Sequence, residues 1–106
     1  MNNLNTLIKM LTSFLDSLSN IQQKGAGYYS CNPFIKRYNS LLEVAKKICK
    51  NNTVIIETFA PIENIKSADP ADKIAVLQEI TIESQQLITF LRDIQESDNP
   101  TLNKGE

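Results

Sequence analysis

Few side chains in this 106-residue chain are of the types that carry out chemistry. The chain has no histidine, which removes the commonest general base near neutral pH and the commonest metal ligand. Its two cysteines, Cys31 and Cys49, are too few to complete the four-ligand shell of a structural zinc site. The N-terminal residues lack the basic start and unbroken apolar run of a signal peptide, so we expect both thiols to be reduced in the cytoplasm.

The other groups that could do chemistry are isolated. Cys31 precedes a predicted helix, whose positive end should lower the thiol pKa, and it would be reactive only if exposed. Glu79 and Glu83 lie one turn apart and could bind a hard cation, but such a pair is typical of a solvated helix face. Gly25 and Gly27 lack the third glycine and the Lys-Ser or Lys-Thr of a phosphate-binding loop. The sequence therefore predicts a protein that is not an enzyme and that uses no metal or cofactor.

Two adjacent tyrosines, Tyr28 and Tyr29, lie in the segment GAGYYSCNPF between two predicted helices. Their rings could cover the end of a helical bundle while the hydroxyls stay in water. They could equally form a docking surface, because tyrosine is enriched in protein interfaces. Both interpretations stay open, and the second makes Tyr28 and Tyr29 candidate partner-binding residues.

Charge is unevenly distributed although the net charge is only −1. Residues 36–50 carry a cluster of basic side chains and a single acid, Glu43. The cluster suggests an alternative function in nucleic-acid binding through phosphate contacts, whereas the simpler interpretation is a solvated outer helix face. The candidate nucleic-acid-binding residues are Lys36, Arg37, Lys46, Lys47 and Lys50.

Apolar residues recur at spacings of three and four over three long segments, which predicts helices at about residues 3–24, 33–60 and 70–97. Short connections between such helices make neighbouring helices antiparallel. We therefore predict an all-α fold, an up-down-up three-helix bundle. It would form one domain at residues 1–98, followed by a flexible tail at residues 99–106.

Residues with strong local preferences mark the ends of these helices. Gly25 should end the first helix, because glycine adopts the left-handed conformation that closes a helix. Asn32 as N-cap and Pro33 as the first helical residue should begin the second helix, and Asp69 and Pro70 should begin the third in the same way.

The second predicted helix contains a possible break. One apolar phase runs through Phe34, Tyr38, Leu41, Ala45, Ile48, Asn52, Ile55 and Phe59. The unbroken phase favours one continuous helix, in which a buried Asn52 could fix the register of paired helices. The alternative is a break near Asn51-Asn52 with Asn52 facing water, because KNNTVIIETF taken alone has the pattern of a break followed by a strand, with Thr, Val and two Ile in a row. That break would produce a four-helix arrangement with a short third helix.

The third predicted helix has more apolar surface than one partner face needs. Val76, Ile82 and Phe90 lie outside its main apolar stripe. A helix that is apolar nearly all round is buried nearly all round, either under the preceding linker or against a second chain. We therefore predict a homodimer through this helix and an unidentified protein partner. No apolar run approaches the length of a membrane span, so no membrane partner is expected.

Overall fold

The computed structural model describes residues 2–23 and 31–97 of the chain. It contains four α-helices: α1 at Asn2–Gln23, α2 at Asn32–Ile48, α3 at Thr53–Thr58 and α4 at Pro70–Ser97. No strand occurs within these two ranges. The predicted all-α fold is confirmed, and α1, α2 and α4 pack together as a bundle.

The core of the bundle is formed by the apolar stripes of α1, α2 and α4. In α1 the stripe matches the predicted one, since Leu4, Leu11 and Leu18 are all buried on one face of the helix. The largest fully buried side chains come from all four helices and include Tyr38, Leu7, Leu42, Ile55, Leu77 and Leu91. The spacing of apolar residues therefore predicts most of this core, because helices bury the face on which these residues recur.

The continuous helix predicted over residues 33–60 is wrong. α2 ends at Ile48, and α3 begins after Asn52, whose backbone is extended and whose Oδ1 accepts a hydrogen bond from the Val54 N–H at 2.9 Å. Asparagine is a strong N-cap, whereas asparagine and the β-branched residues after it are weak helix formers, so capping outweighs continuation. The chain therefore has the four-helix arrangement, and the half-buried Asn52 serves as a cap rather than as a buried register residue.

Residues 59–69 form an extended segment, which we call the strap, and it lies along α2. Two asparagine side chains of α2 hold it. Asn39 Nδ2 donates to the Ile62 carbonyl at 2.9 Å, and its Oδ1 accepts from the Ile62 N–H at 2.9 Å. Asn32 makes the same pair of bonds to Ile65, at 3.3 and 3.0 Å. Each amide thus replaces the backbone partner that a neighbouring strand would supply.

The strap reverses the expected direction of the last helix. It runs antiparallel to α2, because Asn39 holds Ile62 whereas the earlier Asn32 holds the later Ile65. The chain therefore arrives at the N-terminal end of α2, where the Cys31 thiol donates to the Lys73 carbonyl at 3.3 Å. α4 then runs parallel to α2, so the up-down-up order predicted for three successive antiparallel helices is wrong for this pair.

The start of α4 is formed as predicted. Pro70 is its first residue, and Asp69 Oδ1 accepts a hydrogen bond from the Ala71 N–H at 2.9 Å. The predicted start of α2 is only partly right: Cys31 is the N-cap and Pro33 lies in the first turn. The side chain of Asn32 does not cap the helix because it is bonded to the strap.

Within the described ranges, no helix is long and apolar enough to cross a bilayer.

Candidate interaction surfaces

The predicted partner-binding residues that the structure describes, Val76, Ile82 and Phe90, differ in exposure. Tyr28, Tyr29 and the helix-ending Gly25 lie outside the described residues, as does the predicted tail. Val76 and Phe90 are half-buried and pack against the core. Ile82 is 55% exposed and is the member of the predicted α4 set that stands clear of the core.

Phe90 is covered from within the chain. Its ring lies against that of Phe59 at the start of the strap, with the ring centroids 6.1 Å apart. Ile62 and Ile65 of the strap also pack against the core. The extra apolar surface of α4 is therefore covered in part by the segment that precedes it, which weakens the case for a dimer interface centred on Phe90.

The predicted basic residues are divided between different surfaces. Lys36 lies on the outer side of α2 beside Glu43, and both line a cleft of about 740 Å³ next to the strap. Arg37, the next residue, lines a different cleft between α1 and α2. Lys47 and Lys50 are exposed and Lys46 is half-buried. The structure thus leaves four of the five exposed, but it does not bring all five together.

Cys31 is not a reactive thiol of the kind that its position predicts. Its side chain is buried, and burial raises the thiol pKa while the nearby Lys73 charge acts in the opposite direction. The expected lowering by the helix end is therefore wrong, because loss of hydration disfavours the thiolate more than the nearby positive charge favours it. Both cysteines are buried and neither forms a disulfide.

Two hydroxyls lie inside the bundle. Tyr38 of α2 and Ser84 of α4 are fully buried, and neither hydroxyl has a hydrogen-bond partner among the described residues. Burial raises the pKa of Tyr38, and the charges of Glu83 and Glu79 raise it further. Glu79 and Glu83 therefore act on the Tyr38 hydroxyl as neighbouring negative charges. The described residues include no cluster of three or more His, Cys, Asp or Glu suited to a metal ion.

An open apolar groove runs between α1 and α2. It consists of two adjoining clefts, of about 340 and 220 Å³, which share Met10 and Leu41. Met10 is 46% exposed and Val44 is 43% exposed, and both line the smaller cleft. We call this surface the α1–α2 groove. Its described lining residues are Asn3, Thr6, Leu7, Met10, Ser13, Phe14, Ser17, Arg37, Leu41, Val44 and Ile48.

Sequence reasoning did not identify the α1–α2 groove. Leu7, Phe14 and Leu41 belong to the apolar stripes of α1 and α2 and are buried. Met10 and Val44 lie beside these stripes and could have been recognised as apolar residues without a place in them. What could not be recognised is that they meet, because this depends on how closely the two antiparallel helices approach along their length.

The cleft next to the strap and the α1–α2 groove differ in the polarity of their lining. The cleft next to the strap is lined mainly by polar side chains, including Asn32, Asn39 and Glu43. The α1–α2 groove is lined mainly by apolar side chains, and among the described lining residues its only charged group is Arg37.

Comparison with family models, with curated proteins and with solved structures found no match to this chain.

Proposed function

We propose that this chain is a non-catalytic helical protein-interaction module that binds an amphipathic helix of a partner in the α1–α2 groove. The observation that carries the proposal is the exposure of Met10 and Val44 above a floor formed by Leu7 and Leu41. A groove between two helices offers a partner helix an apolar seat, and residues of the partner at spacings of three and four would fill it.

The length of the groove suits a short helix. Its lining residues on α1 extend from Asn3 to Ser17, which spans about 21 Å at 1.5 Å per residue. A partner helix of about four turns would cover this distance. Such a helix would bury the exposed parts of Met10, Val44 and Ile48 without requiring any helix of this chain to move.

The charge beside the groove indicates an acidic partner. Arg37 lines one end, and Lys47, one turn after Val44, is exposed. None of the described lining residues is acidic. Complementary charge steers association and penalises partners of like charge. We therefore expect glutamate or aspartate at the flanks of the partner's apolar stripe, rather than lysine or arginine.

Two synthetic helical peptides test the proposal. Both carry the same leucine stripe, with glutamates at the flanks in one and lysines in the other, and binding is followed by fluorescence anisotropy. We expect the acidic peptide to bind at least about tenfold more tightly than the basic peptide. Val44→Glu should abolish this binding because it places a charge in the groove.

Val54→Glu is the matched control for that substitution. Val54 is 52% exposed on α3 and does not line the groove, so the same change of charge there should leave binding intact. Equal binding of the two peptides, or equal effects of the two substitutions, would contradict the proposed site.

Self-association remains part of the proposal, with α4 as one predicted interface. Ile74 and Ile82 are exposed on this helix and would be available to a second copy. Ile82→Ser is a cleaner test than a change at Phe90, which packs on Phe59. If a dimer forms through α4, Ile82→Ser should shift it toward monomer in sedimentation equilibrium. An unchanged association constant would remove this interface.

The cytoplasm remains the proposed location. Two buried thiols that form no disulfide support it, because a reducing compartment keeps cysteines in this form.

Nucleic-acid binding is the alternative function, and the exposure of Lys36, Arg37, Lys47 and Lys50 supports it. Titration of a labelled single strand at two salt concentrations separates it from the main proposal. Phosphate contacts would make the affinity fall with salt, with a log–log slope of about −0.7 per contact. Absence of binding at low salt would exclude this alternative.

A further inference from the structure

The break between α2 and α3 interrupts a repeat that continues on both sides of it. Ala45, Asn52 and Phe59 are spaced by seven residues, and so are Leu41, Ile48 and Ile55. Ile55 and Phe59 are buried, as are Leu41 and Ala45. A sustained seven-residue repeat is the pattern of one helix that packs along its whole length. The folded chain therefore keeps a pattern that would also fit a longer helix.

Local hydrogen bonds shape the turn at residues 49–52. The Asn52 N–H donates to the Cys49 carbonyl at 2.9 Å, and Asn52 Oδ1 accepts from the Val54 N–H. On the α2 side the helical bonding is already in place, since the Cys49 N–H donates to the Ala45 carbonyl at 2.9 Å. Joining α2 to α3 would replace the cap and turn bonds with helical bonds of the same kind.

The exposed surface of α3 is consistent with a second packing arrangement. Ile56 is 50% exposed in this structure. In a continuous helix at 100° per residue, Ile56 would lie about 60° from Phe59 and beside the apolar phase that includes Ile55. A second helix packed on that phase would cover Ile56, which α3 leaves in water.

We infer that residues 49–52 are a hinge through which two copies of this chain exchange their straps and α4 helices. In the exchanged dimer α2 and α3 form one helix, and the strap and α4 pack on the other copy. The hydrogen bonds of Asn32 and Asn39 to the strap, which we call the asparagine clamps, fit this exchange, because they bind backbone groups that are identical in both copies. The contacts of α4 with α1 would likewise form between copies instead of within one.

The direction of the strap defines the geometry of this dimer. Phe59 of one copy would lie near Ile48 of the other, because the strap must start level with the C-terminal end of the α2 that it follows. The two long helices would therefore run antiparallel and overlap over residues 48–59, related by a two-fold axis near residues 53 and 54. The inference is independent of the proposed binding of a partner helix, since α1 and α2 of each copy stay together.

Thr53→Pro tests the hinge directly. Thr53 is the first residue of α3 and follows an Asn52 with extended backbone, so proline fits the turn. In a continuous helix the same proline would remove a hydrogen bond and clash with the preceding turn. The opposite variant, Asn51→Ala with Asn52→Ala, removes the cap and favours the long helix.

The measurement is the dimer fraction after refolding at millimolar protein concentration, by size-exclusion chromatography with light scattering. We expect the parent to form a dimer, the double alanine variant to dimerise at least about tenfold more strongly, and Thr53→Pro to remain monomeric. Circular dichroism should show that all three are folded.

Two results would overturn the inference: monomers in all three proteins, or a dimer that persists unchanged in Thr53→Pro. The Thr53→Pro variant should still bind the acidic peptide, so failure of the exchange and failure of the α1–α2 groove are seen separately. Loss of dimer in Ile82→Ser but not in Thr53→Pro would place the interface on α4 and would also contradict the hinge.

Discussion

The two sides of α2 are built in opposite ways. On one side Asn32 and Asn39 bind the backbone of the strap through four hydrogen bonds, and this surface is occupied by the chain itself. On the other side Leu41 and Val44 border the α1–α2 groove, which is apolar and open. The side-chain amides on one side of α2 therefore bind the chain's own backbone, whereas the apolar side chains on the other side remain uncovered.

This difference separates residues that hold the fold from residues that are available to bind. Phe59 of the strap is buried and Ile62 and Ile65 pack half-buried against the core, while the asparagine clamps fix the strap's backbone through four hydrogen bonds. The α1–α2 groove is formed by helices whose packing is already secured by the core on their other faces. Substitutions on the strap side should therefore change stability, and substitutions in the groove should change binding.

Asn39→Ala should cause the largest loss of stability among variants that still fold. It leaves the half-buried N–H and carbonyl of Ile62 without their side-chain partner, which should cost about 1–3 kcal/mol. The melting temperature should fall by roughly 4–8 °C per kcal/mol. Thermal unfolding measures this, with Asn64→Ala as the control because Asn64 is an exposed strap residue. Equal melting temperatures for the two variants would show that the clamps do not hold the strap.

Tyr38→Phe removes a buried hydroxyl of α2. Within the described residues this hydroxyl has no hydrogen-bond partner, in contrast to the side-chain amides of Asn32 and Asn39. At neutral pH the unfolding free energy should stay the same or rise by up to about 1 kcal/mol, because the hydroxyl removed makes no hydrogen bond to the described part of the chain. A loss comparable to that of Asn39→Ala would reveal a partner for this hydroxyl.

The same variant should change the pH dependence of stability. Burial, together with the charges of Glu83 and Glu79, raises the pKa of Tyr38 in the folded chain. The folded chain favours the neutral form of Tyr38, and this contribution to the free energy of unfolding is fully present below about pH 10, where an unfolded tyrosine titrates. As the pH rises further, the unfolded chain loses this proton first and the contribution is lost. Urea titrations at neutral and alkaline pH should show a smaller alkaline loss in Tyr38→Phe than in the parent, and equal losses would contradict the assigned cause.

Val44→Glu should have the smallest effect on stability. Val44 is nearly half-exposed, and substitutions of exposed residues usually change the unfolding free energy by less than about 0.5 kcal/mol. Ala45→Glu, at the next position, places the same side chain in the core and should prevent stable folding. If Val44→Glu unfolds the chain as Ala45→Glu does, the groove is part of the core and not an open surface.

The sequence predicts the parts of the fold that depend on neighbouring residues. The stripe of α1 and the start of α4 at Asp69 and Pro70 follow from spacing and capping, and both are confirmed. Periodicity also predicts that Ile55 and Phe59 are buried. It cannot decide whether the helix is continuous, because a cap at Asn52 keeps these residues in the core while it ends the helical hydrogen bonding.

Features that depend on distant contacts could not be predicted. Asn32 before Pro33 has the pattern of an N-cap, and only the position of Ile65 shows that its amide binds the strap. The parallel direction of α4 follows from that contact. The α1–α2 groove likewise depends on how α1 and α2 place Met10 and Val44 in the lining of one cleft, and neither residue has a local pattern that indicates binding.

A map of amide chemical shifts tests the contrast between the two sides of α2 most directly. The acidic helical peptide is added to ¹⁵N-labelled protein, and the shifts of both surfaces are followed in one titration. We expect saturable shifts around Met10, Val44 and Ile48, with the amides of Ile62 and Ile65 unchanged. Shifts centred on Ile62 and Ile65, or no saturable shift in the groove, would contradict it.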